Sequence, residues 1–171
     1  YSLADISDSY ATGSVTATQD PNAYTFGGLV GFNDTSNITT SYATGSVTDQ
    51  GNGQVGGLVG RNTGVISNSY TSSTTLSSNN GIVGGLVGQN GGDGAADNGK
   101  DGTIRDSYWD SEISSVSTSI GQEGGDDQDG NVGGSSITEG EIAGLTTSQM
   151  TGTNAESNMT GFDFNSEWNT T

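Results

Sequence analysis

The stretch "VGGLVGRN" at residues 55–62 decides the fold, because it has two close copies in the same chain. "FGGLVGFN" occupies 26–33 and "VGGLVGQN" occupies 83–90, so the Gly-Gly-Leu-Val-Gly blocks lie 29 and 28 residues apart. A second element, Ile-x-x-Ser-Tyr, occurs four times, with tyrosines spaced by 32, 28 and 38 residues at Tyr10, Tyr42, Tyr70 and Tyr108. Self-similarity at this period is typical of a stacked repeat array.

Each repeat unit has the features of one coil of a β-solenoid. It holds short runs rich in Val, Ile, Leu, Tyr and Thr, separated by Gly, Asn, Asp and Ser, without apolar residues at helical spacing. Propeller blades need about 40 residues, and helical repeats need helices. We therefore predict an all-β fold, a right-handed parallel β-helix (β-solenoid) of about three to four coils, with a loop-rich, partly helical C-terminal cap. The hand follows from the preference for right-handed crossovers.

The composition also favours a solenoid over an ordinary globular core. Only 28% of the 171 residues are hydrophobic, 30 are glycine, and the formal net charge is −17. Taken alone, such values are typical of chains that do not fold. A solenoid needs little apolar surface per residue, because each coil hydrogen-bonds to the next through its backbone.

Equivalent positions of successive coils are expected to stack in columns. The asparagine after each block predicts a ladder of side-chain amides at a turn, formed by Asn33, Asn62 and Asn90. The leucines of the blocks and the valines beside them predict two interior columns. Because neighbouring strand residues point to opposite sides, one of these two columns is expected to face outward or to lie at a corner. The glycines allow a tight corner and a close approach of backbones.

The charge distribution limits the partners. Twenty Asp and Glu residues face only Arg61, Lys100 and Arg105, and histidine and cysteine are absent from the chain. Such a surface repels nucleic acid and anionic membranes and attracts cations. The composition favours a protein of very salty surroundings, where salt screens the self-repulsion; the alternative is an acidic extracellular protein of ordinary surroundings. No apolar run approaches the length needed for direct membrane insertion.

The repeats resemble the GLUG-motif family of large secreted and cell-surface proteins of bacteria and archaea. Besides the blocks, "SYWDSEISSVSTSIGQ", "GLTTSQM" and "GFDFNSEW" are similar to the segment that closes such arrays, so the resemblance covers residues 1 to about 168, weakly at 121–141. The Tyr-Pro-containing strand that follows the tryptophan in the family does not follow Trp168. The resemblance implies an extracellular, cell-surface location, an adhesin-like role, and a chain that is a piece of something longer.

The domain organisation follows from the repeats and the two insertions between them. We predict solenoid repeats over 1–120 with an acidic Gly-rich insertion at 91–103, an acidic Gly/Asp loop at 121–135, and a cap segment at 136–171. Within the cap, "SITE" and "TTSQ" match the capping box, which predicts a helix in 136–150 covering an end of the stack. Phe162, Phe164 and Trp168 are expected to anchor the tail by packing.

The two insertions contain candidate calcium ligands, since calcium prefers oxygen ligands on a turn-forming backbone. The candidate site in the second insertion consists of Asp126, Asp127, Asp129 and Asn131, and a weaker one in the first consists of Asp93, Asp97 and Asp101. The ligand series of an EF-hand, which ends in a bidentate Glu, is absent. The alternative for both insertions is a solvated acidic loop without a bound ion.

Two further sets of residues are candidate surface features. Acceptor sequons for N-glycosylation occur at Asn33, Asn37, Asn158 and Asn169. The repeated tyrosines predict either a buried or half-buried ladder or an outward aromatic stripe for sugars, and we expect the packed ladder.

The sequence favours a non-enzymatic surface module. It has no histidine, cysteine or nucleophile elbow for acyl transfer, and its carboxylates cluster only in the insertions. The expected partners are a glycan or protein ligand on another surface. One alternative is a self-associating subunit of an extracellular filament or sheet bridged by cations. A β-helix enzyme acting on polysaccharides is the remaining alternative.

Overall fold

The coils are described in a computed structural model. The structure describes residues 4–18, 24–92, 100, 102–124, 126–127, 131–132, 136–137 and 142–168. The first coil contains β1 (Ile6–Ser7), β2 (Tyr10–Ala11), β3 (Val15–Ala17), β4 (Thr25–Gly27) and β5 (Val30–Asn33). The second contains β6 (Asn37–Thr39), β7 (Tyr42–Ala43), β8 (Val47–Asp49), β9 (Gln54–Gly56) and β10 (Val59–Asn62).

The later coils carry the insertions. The third contains β11 (Val65–Ser67), β12 (Tyr70–Thr71), β13 (Leu76–Ser78), β14 (Ile82–Gly84) and β15 (Val87–Asn90). The fourth contains β16 (Thr103–Arg105), β17 (Ser107–Asp110) and β18 (Ile120–Glu123). A hairpin of β19 (Asp126–Asp127) and β20 (Asn131–Val132) follows, then β21 (Ser136–Ile137), β22 (Ile142–Leu145) and the helix α1 (Gly152–Asn158).

Strands at the same place in successive coils pair in parallel. They form five sheets, with the orders β1-β6-β11-β16-β21, β2-β7-β12-β17-β22, β13-β8-β3, β14-β9-β4 and β18-β15-β10-β5. The register aligns each Ile-x-x-Ser-Tyr element with the next, so that Tyr42 lies beside Tyr10 on one side and Tyr70 on the other. The prediction of an all-β parallel solenoid is confirmed, with about four coils and one short helix.

A left-handed residue forms the same corner in each of the four coils. The residue before the serine of Ile-x-x-Ser-Tyr has a φ of 46–51° at Asp8, Thr40, Asn68 and Asp106. Asp and Asn tolerate this conformation better than most residues. The serine that follows joins the coils, because its N–H donates to the Oγ of the next serine, as from Ser9 to Ser41 at 3.2 Å.

Both the leucines and the valines of the blocks face the interior. Leu58, Val59, Leu86 and Val87 are fully buried and belong to one apolar cluster. The prediction that one of the two columns faces outward is wrong, whereas its alternative, a column at a corner, agrees with the position of the leucine. The chain bends between β9 and β10, at Gly57 and Leu58, so the alternation of sides restarts there.

The glycines of the blocks are required by close contacts. A Cβ on Gly56 would lie 2.0 Å from the carbonyl oxygen of Val59, on the inside of the bend. A Cβ on Gly85 would lie 2.2 Å from the ring of Trp109, which fills the interior of the neighbouring coil. No real Cβ atom occupies such positions, so the bend and the narrow interior both depend on glycine.

The asparagine ladder predicted from the repeats is confirmed. Asn33 Nδ2 donates to Asn62 Oδ1, and Asn62 Nδ2 donates to Asn90 Oδ1, both at 2.8 Å. The three side chains are fully buried. Asn62 also accepts from the backbone N–H of Gly64 at 3.2 Å, so the ladder pins each turn as well as the stack.

The predicted helix in 136–150 is wrong. The segment instead supplies β21 and β22, which extend the first two sheets beyond the expected end of the solenoid at residue 120. The capping box of "TTSQ" does form: Thr146 N donates to Gln149 Oε1 at 2.9 Å and Gln149 N donates to Thr146 Oγ1 at 3.3 Å. It closes only one turn, and the helix α1 begins later at Gly152.

Within the described ranges, no helix is both long enough and apolar enough to span a bilayer.

Candidate functional site: the tyrosine column and its pocket

The repeated tyrosines form a column on the outside of the solenoid. The residue after each tyrosine points inward, as Ala43 and Trp109 show by their burial in the apolar core. The tyrosines themselves therefore point outward. Their rings stack in parallel, with centroids 5.3 Å apart between Tyr10 and Tyr42 and 5.0 Å apart between Tyr42 and Tyr70. The column therefore lies on the outer face, but most of its rings are buried or half-buried by packing, as in the ladder that we expected, and Tyr10 alone of the four is exposed.

The C-terminal tail, residues 146–168, covers most of this column. Phe162 contacts Tyr108 edge-on at 5.2 Å between ring centroids, and Trp168 lies over Tyr70 at 5.4 Å. Phe162 and Trp168 also stack on each other at 4.6 Å. Packing by these aromatic residues was predicted, but the tail lies along the side of the stack and not across its end.

Hydrogen bonds hold the tail against the fourth coil. Thr147 Oγ1 donates to Asp110 Oδ2 at 2.7 Å, and Thr147 N donates to Glu112 Oε2 at 3.0 Å. Further along, Gly161 N donates to the hydroxyl of Tyr108 at 3.2 Å. Two carboxylates and one tyrosine of the fourth coil therefore serve to dock the tail.

Burial under the tail changes the acidity of one tyrosine. Desolvation raises the pKa of Tyr70 to about 12, and the neighbouring Tyr42 adds to the shift. The phenol therefore stays neutral well above the pH at which a free tyrosine ionises.

The tail ends its cover before the first tyrosine and leaves a pocket there. Tyr10 is 66% exposed although its ring stacks on Tyr42. A pocket of about 230 Å³ opens beside it, lined by Asp8, Ser9, Tyr10, Thr40, Tyr42, Glu167 and Trp168. It joins the first coil, the second coil and the end of the tail.

Local structure places the acidic residues of the pocket. Asp8 is the left-handed corner residue of the first coil. Glu167 and Trp168 lie on a turn in which both backbone N–H groups donate to the carbonyl oxygen of Asp163, at 2.9 and 3.0 Å. The hydroxyl of Ser166 and the backbone N–H of Asn165 donate to the Asp163 carboxylate and lower its pKa.

The calcium candidates are only partly described. The backbone of the second insertion forms an antiparallel pair in which Asp127 lies opposite Asn131 and Asp126 opposite Val132. Asp129 lies outside the described residues, as do the side chains of Asp126, Asp127 and Asn131. Asp93, Asp97 and Asp101 also lie outside them. In the part that is described, no group of three or more Asp, Glu, Cys or His residues is arranged to hold a metal ion.

Lys100 ties the first insertion to a distant turn. Its Nζ lies 2.8 Å from Asp34 Oδ1, in the turn that follows the first coil. The Lys100 carbonyl oxygen accepts a hydrogen bond from Gly92 N at 2.9 Å, which closes the base of the insertion. Arg61 is placed between these turns, over the ring of Phe32 at 5.1 Å from its centroid.

The sequons differ in accessibility. Asn33 is fully buried in the ladder, and its Nδ2 already donates two hydrogen bonds, so the folded chain excludes a glycan there. Asn37 is exposed and Asn158 is half-buried at the end of α1. Asn169 lies outside the described residues. Glycosylation at Asn37, Asn158 and Asn169 stays a prediction.

Sequence reasoning missed the pocket, although one local signal pointed to part of it. The Asp or Asn before Ser-Tyr in three of the four units marks a left-handed corner, which fixes where Asp8 lies relative to Tyr10. Glu167 and Trp168 are more than 150 residues away along the chain. Only the path of the tail brings them to the same place, and nothing local encodes that path.

Comparison with known proteins agrees with the repeat geometry. The family model for the GLUG motif matches residues 22–48 and 51–76. The chain contains two GLUG motifs. The first match contains the block at 26–33 and ends within β8, and the second contains the block at 55–62 and ends at the start of β13. One GLUG motif therefore spans about one coil. No curated protein and no solved structure matches the chain.

Proposed function

We propose that this chain is a non-enzymatic module of an extracellular cell-surface protein, with an adhesin-like role. The observation that carries the proposal is the stack itself. Backbone pairing, the asparagine ladder and the tyrosine column all join one coil to the next. Such an arrangement makes a rigid scaffold, on which corners and insertions are displayed for binding.

The use of the buried carboxylates supports a non-enzymatic role. Among the described residues, Asp49 and Asp110 are the buried Asp or Glu side chains. Asp49 accepts from the N–H groups of Gly51 and Gly53, at 3.0 and 2.7 Å, and so closes a turn. Asp110 docks the tail. Both carboxylates are saturated by structural donors, whereas a glycosidase needs a pair free to reach its substrate.

Immunogold labelling of intact cells that make the protein tests the location. An antibody raised against the folded solenoid is expected to label unbroken cells. An antibody against a cytosolic marker, used in parallel, should label only broken cells. Labelling by the solenoid antibody that also requires broken cells would overturn the proposal.

The filament alternative meets an obstacle at the ends of the stack. The fifth sheet ends in β5 on one side and β18 on the other. At the β18 edge, Glu123 occupies the ladder position of Asn90, and its carboxylate has no N–H to donate. Head-to-tail stacking would therefore continue the asparagine ladder with a residue that cannot donate to the next coil, which is unfavourable.

Calcium binding belongs to the same proposal as a prediction from the sequence. Isothermal titration calorimetry of the whole chain is expected to give a calcium signal that is lost when Asp126→Asn and Asp127→Asn are combined. The variant that combines Asp93→Asn and Asp97→Asn tests the weaker candidate site in the first insertion and removes the same number of carboxylates. An unchanged signal in the first variant would remove the second insertion as the site.

Adaptation to high salt is also proposed, because the formal net charge of −17 generates self-repulsion that salt screens. The thermal unfolding midpoint is expected to rise steadily with potassium chloride concentration. A midpoint that stays constant from low to molar salt would contradict this adaptation.

A further inference from the structure

We propose that the pocket beside Tyr10 binds an organic ammonium group, a primary or quaternary amine on a small ligand or at the end of a longer one. The inference goes beyond the proposed function, because it concerns the chemistry of this pocket and holds wherever the protein is located. Three observations carry it: the aromatic rings, the two carboxylates, and the pattern of hydrogen-bond donors around them.

The aromatic rings supply the first part of the site. Tyr10, Tyr42 and Trp168 all line the pocket, and they come from the first coil, the second coil and the tail. Tyr42 is stacked between Tyr10 and Tyr70, so both of its faces are covered and it borders the pocket with its edge. Tyr10 stacks on Tyr42 with one face and is 66% exposed, and Trp168 lies 6.2 Å from Tyr42. The rings of Tyr10 and Trp168 are therefore the ones that can attract an ammonium group over their faces, through the quadrupole of the ring.

The carboxylates supply the second part. Asp8 of the first coil and Glu167 of the tail line the same pocket, and no Lys or Arg is among the lining residues. The surrounding protein has a formal net charge of −17, which adds to the local negative potential. A cation is attracted to this site, whereas a phosphate, sulfate or carboxylate ligand is repelled.

The hydrogen-bond donors point to the same ligand. The Ser9 hydroxyl already donates to the carbonyl oxygen of Ser7 at 2.8 Å, so its oxygen can only accept from a ligand. The Ser9 N–H is used by Ser41 Oγ. The indole N–H of Trp168 has no acceptor among the described residues, but it is enclosed, away from solvent. The hydroxyls of Tyr10, Thr40 and Tyr42 can donate or accept, so the lining can offer oxygen acceptors to a primary ammonium group.

Nuclear magnetic resonance of the ¹⁵N-labelled whole chain tests the proposal directly. The chain has two tryptophans, so its spectrum contains two indole signals. Trp168 lines the pocket, and Trp109 is buried in the solenoid interior and serves as an internal control. The variant Trp168→Phe assigns the two signals. The probes are choline, its neutral isostere 3,3-dimethylbutan-1-ol, and methyl β-glucoside.

Choline is expected to shift the Trp168 signal saturably and to leave the Trp109 signal in place. The neutral isostere should bind at least about fivefold more weakly, since it lacks the charge that the rings and carboxylates attract. Asp8→Asn and Glu167→Gln should each weaken choline binding about two- to fivefold, as expected for exposed charge pairs. Asn suits the left-handed corner at position 8.

Matched variants separate the pocket from general effects. Tyr10→Ala should abolish the shift, while Tyr24→Ala, which removes another exposed tyrosine outside the pocket, should not. Glu156→Gln removes an exposed carboxylate of α1 outside the pocket lining and should leave choline affinity unchanged. The signal of Trp109 in each variant reports whether the solenoid is folded.

Three results would overturn the proposal. The first is the absence of a saturable Trp168 shift with choline up to about 100 mM, well above a millimolar dissociation constant. The second is equal binding of choline and its neutral isostere. The third is a saturable shift with methyl β-glucoside and none with choline, which would make the pocket a saccharide site.

Discussion

Single side chains that repeat from coil to coil determine how tightly the coils are joined. Asn62 is the central member of the asparagine ladder, with a hydrogen bond to each neighbour and two to its own turn. It is also fully buried, so water cannot replace a lost partner. Residues of this kind are expected to contribute more to stability than their small apolar surface suggests.

Replacing Asn62 with Ala is expected to lower the free energy of unfolding by about 2–4 kcal/mol, because Asn33 Nδ2 loses one of its two acceptors, Asn90 Oδ1 loses its donor and the Gly64 N–H loses its acceptor. Urea unfolding followed by circular dichroism measures the change. Asn80→Ala is the control, since Asn80 is exposed and should change stability by less than about 0.5 kcal/mol. Equal effects of the two substitutions would show that the ladder is not stabilising.

Adding a methyl group inside the bend is expected to be as harmful as breaking the ladder. Gly56→Ala places a Cβ against the carbonyl oxygen of Val59, and overpacking of this kind costs about 1–3 kcal/mol or more. Gly13→Ala is the matched control, because a Cβ there meets no atom within 4 Å. The same urea titration compares them. A Gly56→Ala protein as stable as Gly13→Ala would disprove the steric account of the glycines.

At the scale of elements, the tail is held on the outside of the solenoid by its contacts with the tyrosine column. Its aromatic residues and the tyrosine column form a second apolar cluster outside the solenoid, which includes Tyr108, Leu145 and Phe162. The pKa of Tyr70, raised to about 12, is a direct sign of this cover. The docking of the tail should therefore depend on pH in the alkaline range.

The direction in which stability changes with pH follows from the pKa of Tyr70 in the folded and in the unfolded chain. The folded protein holds the phenol neutral up to about pH 12, and the unfolded chain releases its proton near pH 10. The contribution of Tyr70 to stability is complete below about pH 10 and is lost as the pH rises through 12. Absorbance of phenolate at 295 nm is expected to show a late-ionising tyrosine.

Tyr70→Phe should remove that late component, whereas Tyr24→Phe should leave it in place. A titration in which Tyr70→Phe and the wild type have the same late component would mean that another tyrosine ionises last, and that the tail does not shield Tyr70.

For the whole molecule, the sequence predicts the features that repetition encodes. The parallel stack, the register and the asparagine ladder follow from spacing alone, since stacking brings equal positions together. The burial of both the leucine and the valine columns does not follow, because the bend at Gly57 and Leu58 breaks the alternation of a continuous strand. The strands β21 and β22 and the path of the tail escape prediction because distant partners, Ile104 and Tyr70 among them, determine them.

The ends of the molecule lead to a prediction about assembly. The wild-type chain is expected to resist head-to-tail association at neutral pH, because Glu123 at the ladder position cannot donate the hydrogen bond that would continue the ladder into the next chain. Glu123→Asn restores the ladder residue and its donor, and should shift sedimentation towards larger species as concentration rises. Glu156→Asn is the control. Ordered wild-type polymers that Glu123→Asn does not strengthen would contradict the role of this contact.

The path of the tail has a mechanical consequence. Because Asp8 of the first coil and Trp168 of the tail line the same pocket, the two limits of the described chain lie at one end of the stack. A polypeptide that entered before residue 4 and left after residue 168 would transmit tension between two neighbouring points. The load would act first on the tail, which can peel from the tyrosine column one ring at a time. The third and fourth coils would lie to one side of the line of force and would not bear the tension.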